Sequence, residues 1–310
     1  MSSVGKRVLL TGASGFTGRY MAVELASRGY QVVGLGGRAP EGLEHQDAAN
    51  APLSDMLHVD LLDADDLKRV LAEVRPQVVI HLAAVAFVGH GSANDFYNVN
   101  LIGTRNLLEA ISSAGQVPEC VLLASSANVY GNASEGALAE TTPAAPANDY
   151  AVSKLAMEYA ARLWSDRLPI VLARPFNYTG VGQSEQFVIP KIVAHFRRRA
   201  PSVELGNLDV WRDFSDVRAV AGAYARLIQA PDAIGQVVNV CSGTAHSLRE
   251  VISLCETLTG HSIRVDVNPA FVRASEVRML RGENDILRRL VGDWSCPPLR
   301  ETLEWMLSAN

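Results

Sequence analysis

Short apolar runs alternate with amphipathic stretches through the first two thirds of this chain. Val8-Leu9-Leu10, Gln31-Val32-Val33, Val78-Val79-Ile80, Val121-Leu122-Leu123 and Ile170-Val171-Leu172 are brief, β-rich and apolar on both faces. A strand buried on one face only would alternate, so these runs predict a parallel sheet covered by helices. Between them, Leu67, Val70, Leu71 and Val74 keep helical spacing, with Asp63 or Asp65 as the cap. Phe96, Val99, Gly103, Leu107 and Ile111 predict a further helix that Gly115 closes. Repeated βα units imply a doubly wound α/β sheet with right-handed crossovers.

The rhythm changes after Arg174-Pro175. Residues 178–214 read as loop, one helix over about 186–199, and loop. Val217–Gln229 is again an amphipathic helix and Gln236–Cys241 a strand, and both return to the sheet. The tail from 247 reads as short helices with one strand near Ile263–Val267, and Ala137–Ala147, rich in Ala and Pro, as loop. The expected division is therefore residues 1–177 with 215–242 in one domain, and 178–214 with 243–310 in a smaller α/β lobe. A length of 310 residues suits that arrangement.

Composition narrows the partners. A net charge of −5 without a basic cluster argues against nucleic acid. The run Arg197-Arg198-Arg199 ends a predicted helix, where it serves the helix dipole. No apolar run is long enough to span a membrane or to act as a signal peptide. Cys120, Cys241, Cys255 and Cys296 form no CxxC pair or metal spacing and read as core residues of a reduced, cytoplasmic protein.

Two features carry candidate chemistry. Thr11-Gly12-Ala13-Ser14-Gly15-Phe16-Thr17-Gly18 follows a strand and opens a helix. Gly12 permits the turn, Gly15 lets backbone approach a pyrophosphate, and Gly18 lets helix and strand pack closely. The second strand ends Gly34-Leu35-Gly36-Gly37-Arg38. An NAD(H) site would usually place an acid there; a guanidinium suits a 2′-phosphate, so NADP(H) is favoured over NAD(H). Asp60 is placed either to accept from an adenine amino group or to cap a loop. Tyr150-Ala-Val-Ser-Lys154 puts a phenol and an ammonium on one helical face, where the lysine is expected to lower the phenol's pKa. Ser125-Ser126 ends a strand about 24 residues earlier, where ligands of such sheets sit.

With these motifs the chain is identified as a member of the extended short-chain dehydrogenases/reductases, the family of nucleotide-sugar epimerases, dehydratases and 4-keto reductases. The resemblance rests on TGASGFTG at 11–18, HLAA at 81–84, NLIGT at 100–104, SSANVYG at 125–131, YAVSK at 150–154 and RPFN at 174–177. It implies a Rossmann fold, Tyr150 as general acid/base, Lys154 as its activator and Ser126 as hydroxyl partner. It further implies cofactor contacts from Ser14, Phe16, Thr17, Asp60, Leu61, Leu82, Ala83, Ala84, Asn100 and Pro175. A homodimer packed through the Tyr150 helix and the 95–113 helix is implied too, compatible with Ala151, Leu155 and Ala160.

Residues 174–191 and 206–217 resemble the GDP-sugar branch, and within it the reductases of GDP-6-deoxy-4-keto-mannose. That likeness implies substrate contacts from Val88, Ser126, Asn177, Val188, Lys191, Arg212, Arg273 and Glu276. It implies NADPH-dependent reduction at C4 to a GDP-D-rhamnose or GDP-6-deoxy-talose product. Tyr178 stands where this branch usually has histidine, and Arg273-Ala274-Ser275-Glu276 replaces a more usual Arg-Pro-Ser-Asp. Dehydratases of the branch carry Asp-Glu after the catalytic hydroxyl residue; Ala127 and Asn128 stand here, and neither is an acid. A fucose-type epimerase-reductase would need a further Cys–His pair that has no evident place. A 4-epimerase for UDP-sugars shares the catalytic trio but holds NAD(H), which Arg38 disfavours. A cofactor-sensing regulator typically loses the tyrosine, lysine or serine, and all three are present.

Overall fold

β1 (Arg7–Thr11) is fully buried from Val8 onward, and the chain turns at Gly12 into α1 (Phe16–Ser27) and then β2 (Gln31–Gly36). The computed structural model describes residues 5–37, 52–86, 92–131, 136–271 and 278–309. Next come β3 (Asp55–His58), α2 (Ala64–Val74), β4 (Val78–His81), α3 (Ala93–Tyr97), a π-helical segment (Asn98–Gly103), α4 (Thr104–Ser113) and β5 (Cys120–Ala124). A 3₁₀ turn (Ala127–Tyr130), β6 (Ala137–Leu138), α5 (Asp149–Arg162), β7 (Ile170–Pro175), β8 (Asn177–Thr179) and α6 (Val188–Arg197) follow. The remainder is β9 (Ser202–Leu205), β10 (Trp211–Asp216), α7 (Val217–Leu227), β11 (Val237–Val240), β12 (Ala245–Ser247), α8 (Leu248–Thr259), β13 (Arg264–Val267), β14 (Met279–Gly282), α9 (Asp285–Val291) and α10 (Leu299–Ser308).

The main sheet has seven parallel strands in the order β11-β7-β5-β4-β1-β2-β3. The order reverses between β1 and β4, and a ligand crevice forms beyond strand ends at such a reversal. One core lies under α1 and α7 (Leu10, Met21, Leu25, Val220, Tyr224) and another under α2, α4 and α5 (Leu67, Leu71, Leu107, Met157). Each strand presents alternate residues to these two cores, which explains why β1, β4 and β5 are apolar throughout. Of the two candidate caps for α2, Asp63 is the one used, its carboxylate accepting from the Asp66 N–H at 3.0 Å.

The helix expected over 96–111 is interrupted. Its π-helical segment turns Asn100 inward, where the amide bonds Val85 N–H, Val85 C=O and the Ser153 hydroxyl at 2.9, 3.1 and 3.0 Å. β3 was not foreseen, because an edge strand of four partly exposed residues lacks a two-sided apolar pattern.

The second lobe has its own core of α6, α8 and α10 with β9 and β10, including Ile192, Phe196, Phe214, Val251 and Leu303. β10 pairs with β8, β12 and β14, and β14 in turn with β6. Two departures from the expected division follow. β6, at 137–138, joins this sheet rather than a loop. α9 lies in the 243–310 segment but packs on α7 and β11, with Leu287 and Trp294 in the core of the main sheet and Trp294 Nε1 donating to Ala219 C=O at 2.8 Å. Apolar matching with α7, not chain position, decides where this helix sits.

Candidate active site

Gly12 has φ +69°, and a Cβ there would stand 2.8 Å from Ala83 N. A Cβ on Gly18 would stand 2.1 Å from Gly12 O, so the helix can lie this close to the strand only with glycine. Gly15 is the N-cap of α1 and offers no side-chain cap. The first N–H groups of the helix are therefore available to an anion at its positive end.

A buried chain of bonds supports this loop from behind. Thr104 Oγ1 donates to Asn100 C=O at 2.8 Å, so it must accept from His81 Nε2–H at 2.8 Å. His81 Nδ1 then accepts from the Thr11 hydroxyl at 2.7 Å, and Thr11 Oγ1 accepts from Ala83 N–H at 3.1 Å. Burial, with the Lys154 charge adding, lowers the His81 pKa to about 3, so the ring is neutral, as this pattern requires.

The catalytic candidates come from β5 and α5. Ser126 follows the end of β5 and caps the 3₁₀ turn, its Oγ accepting from Asn128 N–H at 3.2 Å and Asn128 Nδ2–H at 3.1 Å. Asn148 caps α5 by accepting from Ala151 N–H at 2.9 Å, and that start sets Tyr150, Lys154 and Glu158 on one face. The Tyr150 ring meets Phe96 edge-on at 6.0 Å. Burial pushes its phenol up to about 12, opposed by a hydrogen bond with Ser126. Lys154 is 4% exposed and donates to Ala124 C=O at 2.8 Å. Burial lowers its pKa to about 8, with Glu158 opposing. The expected lowering of the phenol by the lysine is therefore not seen. The ammonium is engaged by a carbonyl, and desolvation outweighs other influences on Tyr150.

These groups share one cavity of about 910 Å³. Gly12, Ser14, Gly15, Phe16, Thr17 and Gly18 line one end, with Leu82 and Ala84 beside them. Ser126, Tyr150, Lys154 and Pro175 form the middle, and Asn177 and Val188 reach it from the second lobe.

Other expected residues stand elsewhere. Asp60 accepts from Leu62 N–H at 2.9 Å through Oδ1. Leu61 is buried, Ala83 lies behind Gly12, and Asn100 is held by Val85 and Ser153. Lys191 donates to Glu204 C=O at 2.7 Å, its ammonium over the Phe271 ring, and Arg212 donates to Trp211 C=O at 2.8 Å. None of these lines the cavity: the polar ends of Asp60, Asn100, Lys191 and Arg212 are bonded within the fold, and Leu61 and Ala83 pack behind the loop. Arg38, Val88, Arg273 and Glu276 lie outside the described residues.

The contacts of three groups are not visible in the sequence. In the sequence Asn128 marks only a missing acid, whereas its amide donates to Ser126 Oγ. Tyr178 lines the cavity, stacks on Phe16 with centroids 6.2 Å apart and bonds Thr17 Oγ1 at 2.9 Å, so it ties β8 to the glycine loop. Beneath the trio, Glu158 accepts two bonds from Arg174, at 2.8 and 2.6 Å, and one from Ser125 at 2.5 Å. Arg174 also donates to Tyr130 Oη at 3.0 Å, which donates to Asn239 Oδ1 at 2.7 Å. The spacing of Glu158, four residues beyond Lys154, was an available signal; the partners on β7 and β11 were not.

Comparison with known proteins agrees with this geometry. The family model described as GDP-mannose 4,6 dehydratase matches residues 9–296. A GDP-6-deoxy-D-talose 4-dehydrogenase from Aggregatibacter actinomycetemcomitans is 31% identical over 302 residues, covering 97% of this chain and 96% of its own. The GDP-6-deoxy-D-mannose reductase (RMD) of Pseudomonas aeruginosa is 34% identical over 314 residues, 98% of this chain and 96% of its own. The structure of RMD from that species complexed with NADPH superposes with a TM-score of 0.83 at 31% identity, covering 98% of both chains. A candidate epimerase crystallised from Burkholderia cenocepacia J2315 superposes at 0.91 with 52% identity, again over 98% of both. A glycine loop, a Ser–Tyr–Lys trio in one crevice and matches across nearly the whole length lead to one assignment: the chain belongs to the GDP-mannose 4,6-dehydratase family of extended short-chain dehydrogenases/reductases.

Proposed function

We propose that this enzyme reduces the C4 keto group of a GDP-6-deoxy-4-keto-hexose with NADPH in preference to NADH. One observation carries the reading. Ser126, Tyr150 and Lys154 line one cavity with the glycine loop, and the two residues after Ser126, Ala127 and Asn128, hold no carboxyl group. Elimination of water from a sugar needs a further acid–base group, whereas carbonyl reduction needs only a proton donor beside the hydride donor. The GDP-6-deoxy-D-mannose reductase and GDP-6-deoxy-D-talose 4-dehydrogenase relatives support the same chemistry, and the NADPH in the RMD structure supports the cofactor.

The residues present fit a dinucleotide. The glycine loop leaves room only for bare backbone, α1 presents its uncapped N-terminus, and Ser14, Leu82 and Ala84 continue the wall toward Tyr150. When bound, the nicotinamide supplies the hydride to C4. Tyr150 then gives its proton to the C4 oxygen, and a phenol pushed up to about 12 is held in the protonated form this step requires. Ser126 holds the same oxygen by hydrogen bonding as charge develops on it. Lys154 supplies a buried positive charge one helical turn from Tyr150, which favours the phenolate left after proton transfer. Its bond to Ala124 C=O fixes the ammonium at the floor of the site.

The sugar nucleotide is assigned to the side of the cavity built by Asn177 and Val188 of the second lobe. A homodimer is part of the same reading. Ala151 is buried within the chain, so the apolar surface of α5 for a partner is Val152, Tyr159 and Leu163, at 38, 60 and 73% exposure, with Ile102 nearby. Among the described residues no helix is long and apolar enough to cross a membrane, which accords with a cytoplasmic location as part of this proposal.

The test is cofactor oxidation with GDP-4-keto-6-deoxymannose, NADPH and NADH in parallel, and NMR of the product. Oxidation with a GDP-6-deoxyhexose product is expected, its C4 configuration distinguishing rhamnose from 6-deoxy-talose. No oxidation by a chain that binds the cofactor overturns the substrate. A second reading, sugar-nucleotide 4-epimerisation with retained NAD(H), is favoured by the Burkholderia cenocepacia structure. Tightly held cofactor with no net oxidation would support it.

A further inference from the structure

Ser126 Oγ receives two hydrogen bonds from one residue, the backbone N–H of Asn128 at 3.2 Å and its side-chain Nδ2–H at 3.1 Å. A hydroxyl has two lone pairs and a single proton. With both lone pairs engaged from the turn side, the Ser126 proton is left for the cavity, where the Tyr150 phenol stands. Ser126 is itself 5% exposed and N-caps the 3₁₀ turn that carries Asn128, so its side chain has little freedom to turn away.

We infer that Asn128 is a positioning residue that makes Ser126 an obligate hydrogen-bond donor to the reacting oxygen. The inference rests on the keto-reductase reading and adds to it the way the serine is polarised. Donation runs in one direction, from the Asn128 amide through Ser126 to the cavity. Without substrate the Tyr150 oxygen receives the Ser126 proton; once a ketone is bound, that single proton turns to the C4 oxygen, and Tyr150 gives its own proton to the same oxygen. The C4 oxygen of a ketone only accepts, and it then meets two donors and no competing acceptor. As it gains negative charge during hydride transfer, both bonds strengthen, which lowers the barrier without tightening ground-state binding.

The side-chain amide, not the backbone, is the part that sequence can vary. An aspartate there would accept where the amide donates. It would draw the Ser126 proton toward the turn and leave the oxygen with one donor. Asparagine at 128 is thus read as a requirement of the site, not merely as the loss of a carboxyl group.

Two experiments test this. In a kinetic cycle on the full chain, Asn128→Ala is expected to lower kcat by roughly tenfold with KM unchanged, as loss of one supporting bond implies. Asn128→Asp is expected to lose about a hundredfold, close to Ser126→Ala. Adding Asn128→Ala to Ser126→Ala should cost less than about twofold more, because the asparagine acts through the serine. Equal losses on both backgrounds, or a raised KM at constant kcat, would overturn the inference. Melting temperature and NADPH binding of each variant separate these effects from misfolding.

Neutron diffraction of the deuterated wild-type protein needs no sugar. The deuteron of Ser126 should point to Tyr150, with an Asn128 Nδ2 deuteron directed at Oγ. A Ser126 deuteron directed at Asn128 Oδ1 would refute the inference. A wild-type chain inactive on the GDP-keto-sugar would remove the substrate reading while the diffraction result still decides the role of Asn128.

Discussion

Glu158→Gln isolates the buried ion pair beneath Ser126, Tyr150 and Lys154. The two side chains are 6% (Arg174) and 1% (Glu158) exposed, joined by two parallel bonds at 2.6 and 2.8 Å. The carboxylate beside it also holds the Arg174 pKa above its ordinary value. The amide keeps the shape but removes the charge, leaving a guanidinium buried against a neutral group. Removing one partner of such a pair costs about 3–5 kcal/mol. Unfolding entropy of about 2.1 cal/mol/K per residue amounts to roughly 0.65 kcal/mol/K over 310 residues. A loss near 4 kcal/mol then lowers Tm by about 6 °C, measurable by calorimetry. Neutralising both partners with Glu158→Leu and Arg174→Met should recover at least half of that shift, since no buried charge remains. A fall in Tm below about 1.5 °C for the single variant, or a double variant less stable than the single, would refute the argument from uncompensated charge.

Three further outcomes are expected. Tyr150→Phe removes the proton donor and should cut kcat by about 10²–10⁴ while NADPH binding, followed by fluorescence, stays within about twofold. His81 is neutral when folded, with a pKa of about 3 against 6.5 when unfolded. The unfolded chain therefore binds more protons between those values, and stability is fully present above pH 6.5 and lost as pH falls, by up to roughly 5 kcal/mol. Urea unfolding at pH 7.5 and 5 should show about 2 kcal/mol of this loss, and His81→Gln should flatten it; an unchanged slope would exclude the buried ring as its source. Gly18→Ala places a methyl 2.1 Å from Gly12 O, so α1 must move from β1 and NADPH affinity should drop at least about tenfold, with unchanged affinity counting against the glycine-loop reading.

Six of the seven main-sheet strands, the glycine loop and the order of Ser126, Tyr150 and Lys154 are legible in the residues alone. Those features are local. A strand between two helical layers must be apolar on both faces, a loop that lets phosphate approach must lack Cβ atoms, and residues four apart on a helix must share a face. The cap at Asp63 was legible for the same reason.

What needed the tertiary structure was every property set by partners distant in the chain. Tyr178 meets Thr17 across 161 positions, and Tyr130, in the 3₁₀ turn, links Arg174 of β7 to Asn239 of β11. β6 has two residues and exists only because β14 lies beside it. The same holds for the charges: a lysine beside a tyrosine suggests a lowered phenol, but burial raises the Tyr150 pKa while the lysine's ammonium is engaged by the Ala124 carbonyl. Desolvation depends on how much protein surrounds a group, and hydrogen-bond direction depends on which lone pairs are already taken. Neither is written in the spacing of residues along a chain, so the sequence names the candidate groups while the fold sets how deeply they are buried and which partners they meet.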